Sequence, residues 1–326
     1  MNEPSADTPA PWYAGYVDVT LPSEYELDKP PNPAAGLAVL SFIVAHPDDP
    51  CTPSWGGYLS LDKAGTLGLD QRIAGLRANG GDVVISFGGQ LEEELATVCA
   101  DLGALTEAYR SVVDRYGIST IDLDVEGNDL KDEESLRLRS EAVALLQQER
   151  GPQNPLQVWL TLPVSPNGLE EESIAAVAQM LDSGVDLAGV NIMTMNFSDS
   201  RDGGQSMLDA STAAADATHE QLRDIYAQVG QRLDGQELWR KIGLTPMIGQ
   251  NDVESDVFDL AAAESLNEFA LSRGVGRMSM WSLNRDTACD PDEADLGQTS
   301  PTCSGVEQEP GAFSRILGGG FSSSLL

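Results

Sequence analysis

The chain alternates between two hydrophobic periods. Eight short runs are almost continuously apolar: 14–21, 37–44, 82–89, 119–126, 156–164, 187–197, 239–248 and 276–283. Runs of this length and continuity suit parallel strands covered on both faces. Between them, apolar residues recur at helical spacing. Leu102, Leu105, Tyr109, Val112 and Val113 share one face, and Leu138, Ala142, Leu145 and Leu146 share another. Further helices are expected over about 65–79, 169–183, 216–233 and 256–273. The first connection is short and Pro-rich, so its helix should be rudimentary. Strands alternating with helices in this way predict an α/β protein with a single (β/α)8 TIM barrel over residues 13–317. Residues 1–12 read as a linker and 318–326 as a flexible tail. A doubly wound open sheet is disfavoured because no Gly-rich nucleotide fingerprint follows any strand. The seventh and eighth runs are separated by only about 25 residues, so no α+β insertion is expected between them.

A barrel of this kind carries its active site at the C-terminal ends of its strands. The fourth run reads Ile121-Asp122-Leu123-Asp124-Val125-Glu126. Alternate strand residues face opposite ways, so Asp122, Asp124 and Glu126 share one face and Ile121, Leu123 and Val125 the other. If the apolar set packs under the helices, the acidic set points into the barrel. Crowded inward carboxylates are costly unless paired or protonated, and their repulsion raises at least one pKa. A carboxylate site for Mg²⁺ or Ca²⁺ is the competing reading, but the neighbouring strand ends offer no convincing further acids.

Four motifs in chain order resemble glycoside hydrolase family 18, the chitinase family. The acidic run is similar to its DxxDxDxE signature, with Ser119 at the first position and the last three acids intact. Ser86-Phe87-Gly88-Gly89 resembles its SxGG motif, and Met193-Thr194-Met195-Asn196 stands where the family has Met-x-Tyr-Asp. Trp281 in SMWSLNRD resembles the Trp that ends the eighth strand. The resemblance implies a retaining, substrate-assisted glycosidase acting on β-1,4-linked N-acetylglucosamine polymers, without a cofactor or metal. Glu126 would protonate the glycosidic oxygen. Asp124 would orient the acetamido group of the substrate, and Asp122 would share a proton with Asp124. Trp281 would floor the sugar site, with Tyr16 and Met193 lining it. Gln250 and Asn251 would bond sugar hydroxyls or, on the bland reading, simply make a turn. Trp55 is either a stacking surface for a further sugar or a loop anchor. Gly88, Gly89 and Pro246 read as structural.

Met195-Asn196 departs from the family pattern. Met195 cannot donate the hydrogen bond that the Tyr supplies, and Asn196 carries no charge. That departure keeps two alternatives open: a lectin-like binder on the same barrel, and an endo-β-N-acetylglucosaminidase acting on other glycans. The missing α+β insertion implies an open groove and internal cleavage. His46-Pro47-Asp48-Asp49 resembles the start of a zinc-dependent de-N-acetylase site, but His219 is the one other histidine and has no histidine near it. The sequon at Asn196 reads as chance.

Composition narrows the partners. Asp and Glu number 52 against 19 Lys and Arg, a net charge of -33. This argues against nucleic acid and anionic membranes as partners, and leaves an uncharged glycan compatible. The chain is expected to be monomeric. The runs Glu92-Glu93-Glu94, Glu170-Glu171-Glu172 and Asp290 to Asp295 read as solvated surface. Four cysteines (Cys51, Cys99, Cys289 and Cys303) fit no CxxC metal pattern. Two disulfides or four buried thiols fit the even count. A Cys289–Cys303 bridge would hold a loop with little apolar content. Residues 1–11 are polar and Pro-rich, without a signal-peptide core, and read as a linker or the start of a mature chain. Disulfides imply an oxidising, extracellular setting.

Overall fold

The computed structural model describes residues 10–21, 25–290 and 299–325. Every one of the eight apolar runs contains a strand. Strand one is Trp12–Tyr13 with Gly15–Asp18, strand two Leu37–His46, strand three Asp82–Gly88 and strand four Thr120–Asp124. Strand five is Gln157–Pro163, six Leu187–Met193, seven Ile242–Thr245 and eight Arg277–Met278. Each pairs in parallel with the next in chain order. Strand one bonds on both sides: Trp12–Tyr13 to Arg277–Met278, and Gly15–Asp18 to Ala38–Ser41. The row of parallel strands therefore returns to its own start.

Helices Leu69–Ala78, Leu102–Tyr116, Glu133–Arg150, Glu171–Asp182 and Leu260–Arg273 occupy the expected stretches, while Met207–Gln228 starts well before the expected 216 because Ser206 and Asp209 form a capping box there. Their ends follow from local chemistry. Asp101 caps the second of them by accepting from the Ala104 N–H, and Gly117 ends it in a left-handed conformation. Between strands one and two the described residues form only a 3-10 turn, Pro33–Gly36. Apolar residues divide into two layers. Ile121, Leu123 and Val125 join Val112 and Ala142 in the large layer beneath the helices. Trp12, Tyr16, Val39, Val84 and Trp159 form a smaller cluster on the other side of the strands.

Four further expectations are corrected. Trp239 and Arg240, expected in a strand, end a helix, Gly235–Arg240, because Asp234 and Glu237 form a capping box ahead of them. Strand two does not stop at its apolar end; it turns at Pro47–Asp48 and returns as the antiparallel Asp49–Trp55. The ends of the chain are not loose where they are described. Trp12 is buried in strand one rather than in a linker, and Ser322 bonds to it through the Tyr13 N–H (2.9 Å) and the Pro11 carbonyl (2.9 Å). The tail thus supplies partners for backbone groups that would otherwise lack them. Finally, Glu94 is not surface. It is 1% exposed, accepting from Arg139 Nη2 (2.8 Å), Tyr109 Oη (2.9 Å) and the Ala96 N–H (2.7 Å). Capping the short helix Leu95–Val98 draws it inward. Of the run from Asp290 to Asp295, only Asp290 lies within the described residues.

Both disulfides form. Cys51–Cys99 ties the hairpin after strand two to the segment after strand three, and Cys289–Cys303 closes the loop after strand eight. Arg139 and Glu94 are both fully buried, so removing either charge strands the other. Arg139→Leu should lower the unfolding free energy by about 3–5 kcal/mol in a denaturant titration. Breaking the exposed pair Lys29–Glu26 should leave the same denaturation curve essentially unmoved.

Candidate active site

Strand four presents its carboxylates as its alternation predicts, but gives each a different environment. Asp122 is 0% exposed and receives four donors. Arg277 Nη1 (2.5 Å) and Thr161 Oγ1 (2.7 Å) reach Oδ1, and Ser86 Oγ (2.7 Å) and Tyr16 Oη (2.8 Å) reach Oδ2. Arg277 lies over the rings of Trp12, Tyr16 and Trp159 at 5.1–5.5 Å, an aromatic cage for the cation. Both oxygens of Asp122 are thus taken by neighbours, and no hydrogen bond joins it to Asp124 among the described residues. This differs from the expected shared proton: the cation on strand eight satisfies Asp122 instead.

Asp124, 5% exposed, lines the cavity, and its Oδ1 has no hydrogen-bond partner. Burial pushes its carboxyl well above the ordinary range, and the charges of Glu126 and Asp122 push the same way, against the pull of Arg277. Glu126, at the cavity wall, is raised to about 7, by burial first and by the charge of Asp129 second. Asp129 is held by Thr97 Oγ1 (3.0 Å). Gly88 permits the close approach of strands three and four. Its φ is 95°, and a Cβ there would sit 2.1 Å from the Asp124 carbonyl oxygen, so its structural reading stands.

The cavity holds about 270 Å³. Its apolar side is Trp281 stacked on Phe42, with centroids 5.6 Å apart and planes at 20°. Tyr16, Met193, Met195 and Asn196 also line it, as expected. A larger cavity of about 520 Å³, near Tyr25 and Cys303, contains none of these carboxylates.

Three expected sugar contacts fall elsewhere. Trp55 is fully buried, donating from Nε1 to Tyr116 Oη (2.8 Å), and anchors its loop. Gln250 spends its side-chain amide on the carbonyls of residues 251, 253, 254 and 256. Asn251, fully buried, bonds the Met247 and Gly249 carbonyls and accepts from the Asn196 N–H. Both make the turn, because a loop with so many inward backbone groups needs side-chain partners. The next residue, Asp252, reaches the cavity instead. Asn196, in the left-handed region that Asn tolerates, donates from Nδ2 to Asp252 Oδ2 (2.9 Å) and accepts from the Asp252 N–H (2.9 Å). The amide of Asn196 therefore positions an acid.

Phe42, Gln90, Thr161 and Arg277 were also absent from the expected set. A lone basic residue in the apolar run of strand eight was the available signal for Arg277. Phe42 gave none within its apolar run. The two histidines are not brought together. His46 accepts from the Asp48 N–H in the hairpin turn, and His219 stacks on Trp239 at 4.6 Å.

The chain is 31% identical over 330 residues to the probable bifunctional chitinase/lysozyme of Escherichia coli (strain K12), covering 97% of this chain and 35% of that protein. It is 30% identical over 299 residues to endochitinase 11 of Metarhizium anisopliae, covering 88% and 54%. The catalytic domain of a hyperthermophilic chitinase from Pyrococcus furiosus superposes with a TM-score of 0.81 at 27% identity, covering 95% of this chain and 94% of that one. This chain belongs to glycoside hydrolase family 18. No family model matches it. The chain spans 35% and 54% of the length of the two curated relatives, so the family 18 domain is what is shared.

The charge pattern of this family 18 site makes a pH prediction. An acid raised to about 7 carries its proton below that value and loses it as the pH rises through it. A reaction that needs protonated Glu126 should lose rate above about pH 7. Asp129→Asn removes a like charge and should move that descending limb to lower pH. Rate–pH profiles of the two proteins provide the measurement, and an unmoved limb would contradict the role of Asp129.

Proposed function

We propose that this domain is a retaining, endo-acting glycoside hydrolase that cleaves β-1,4-linked N-acetylglucosamine polymers by substrate-assisted catalysis. The observation that carries this reading is the unequal treatment of three carboxylates on one strand face. Asp122 is neutralised by Arg277, while Asp124 keeps a free oxygen and Glu126 is poised near neutrality at the cavity wall. Glu126 gives its proton to the glycosidic oxygen. The substrate's own acetamido oxygen attacks the anomeric carbon and forms an oxazolinium ion. Asp124 Oδ1 accepts the acetamido N–H and holds the acetamido group in line for attack. Water then opens the ring, giving its proton to Glu126, with net retention. Trp281 and Phe42 supply an apolar floor for the distorted sugar.

The parallel row is read as a closed (β/α)8 barrel. Its strand seven to strand eight connection holds a small hairpin, Gly249–Gln250 with Val257–Phe258, and one helix. Lacking an α+β wall, the groove stays open to a long chain, which supports internal cleavage. The chitinase names of the relatives support the substrate class. Two disulfides support an oxidising, extracellular setting for a monomeric domain.

Glu126→Gln keeps the shape and removes the transferable proton. It should cost about 10²–10⁴ in kcat on chitin oligosaccharides while leaving binding intact. Wild-type binding without turnover would favour the lectin-like reading, and turnover by both proteins would remove Glu126 from the role of acid. A long oligomer should give mixed products at early times; disaccharide alone, released from one end, would exclude internal cleavage.

A further inference from the structure

The chain turns directly after Glu126. Gly127 takes a left-handed conformation (φ 60°), and the Lys131 N–H donates to the Asn128 carbonyl (3.0 Å). Asp129 sits half-buried in that turn. Its Oδ1 accepts from Thr97 Oγ1 (3.0 Å), a residue 32 positions away on the helix Leu95–Val98.

That helix has four residues, too few to hold itself in water. It is fixed at both ends. At its start Glu94 accepts from the Ala96 N–H (2.7 Å), and is itself held by Arg139 Nη2 (2.8 Å) and Tyr109 Oη (2.9 Å). At its end Cys99 is fully buried and bonded to Cys51. Glu94 also packs behind strand four. A Cβ on Gly88 would be 3.4 Å from Glu94 Cγ and 2.1 Å from the Asp124 carbonyl oxygen. A buried ion pair and a disulfide thus brace one short turn next to the acidic strand. Leu95 and Ala96 of that turn are buried in the core, and Thr97 is the side chain left to meet Asp129.

We propose that Thr97 is a positioning residue for the hydrolysis: from its braced turn it holds the Asp129 carboxylate beside Glu126 and so sets the pH range over which Glu126 can give up its proton to the substrate. This rests on the reading of Glu126 as the acid. Glu126 faces Asp124 from its own strand and Asp129 from the turn, while Asp252 and Tyr16 line the same cavity. Asp129 faces Glu93 and Glu94 from the loop after strand three, and Arg139 from the helix Glu133–Arg150. Burial pushes the Asp129 carboxyl above its ordinary range. The Thr97 hydroxyl and Arg139 pull it back, and Glu94 and Glu93 push it up. Loss of the hydroxyl acts in one direction by two routes. An untethered carboxylate swings toward water, and one left in place takes a proton more readily. Either route removes negative charge from beside Glu126, whose proton then leaves at lower pH.

The test is the rate–pH profile on a chitin oligosaccharide for the wild type, Thr97→Val, Thr97→Ser, Asp129→Asn and the Thr97→Val/Asp129→Asn double variant. Thr97→Val keeps the shape and removes the donor, so its descending limb should lie about half a pH unit below that of the wild type. Thr97→Ser keeps the hydroxyl and should return the limb to its wild-type position. With Asp129→Asn already in place, Thr97→Val should move the limb no further, because the group it acts through is gone. A Thr97→Val limb at the wild-type position, a shift shared by Thr97→Ser, or an equal shift with and without Asp129 overturns the positioning role and leaves the acid role of Glu126 standing. Hydrolysis by Glu126→Gln at the wild-type rate overturns both.

Discussion

The ion pair between Asp122 and Arg277 is the contact on which the arrangement of the site depends. A strand whose outward face must be apolar has only its inward face left for acids. An inward carboxylate loses its water, and in a medium of low polarity that loss is large unless a counter-charge and hydrogen bonds replace it. Arg277 provides the counter-charge from the opposite side of the strand row. Tyr16, Ser86 and Thr161 fill the remaining acceptor positions. Three aromatic rings close around the guanidinium. With the deepest acid settled in this way, the two nearer the mouth can be left unsatisfied without unfolding the strand.

That residual dissatisfaction sets the two outer acids apart from Asp122. Asp124 and Glu126 are both pushed toward their protonated forms, each for its own reason. Asp124 is buried beside two other acids, and Glu126 is buried near Asp129. One strand thus carries a paired anion and a buried acid with a raised pKa at successive inward positions, with a second raised acid just past its end. The gradient runs along the strand because burial and pairing both fall toward the mouth. Asn196 repeats the logic at smaller scale: an amide that carries no charge fixes the position of Asp252, which does.

The rim follows a different principle. Strand two runs on past its pairing with strand three and folds back as a hairpin, and a disulfide binds that hairpin to the next loop. That link is itself packed, since Cys99 is fully buried in the large apolar layer with Trp55 and Leu95 and Cys51 packs against it, so the covalent bond adds to packing there. A second link, Cys289–Cys303, closes the loop after strand eight.

Eight apolar runs, the helical spacing between them and the inward acidic face of strand four were all legible in the chain, because strand and helix periods are local properties of the backbone. The shared face of Asp122, Asp124 and Glu126 could be read for the same reason, whereas Trp281 was picked out by resemblance to a family motif. Other features depended on residues far apart in sequence. Arg277 meets Asp122 across 155 positions, and Asn196 meets Asp252 across 56. Trp55 faced inward and Tyr58 outward because the hairpin that turns at Pro47–Asp48 lays only part of its length on the core. Gln250 and Asn251 served their own turn once the loop's backbone groups needed partners. Periodicity decides which side of an element a residue takes; only tertiary packing decides what waits on that side.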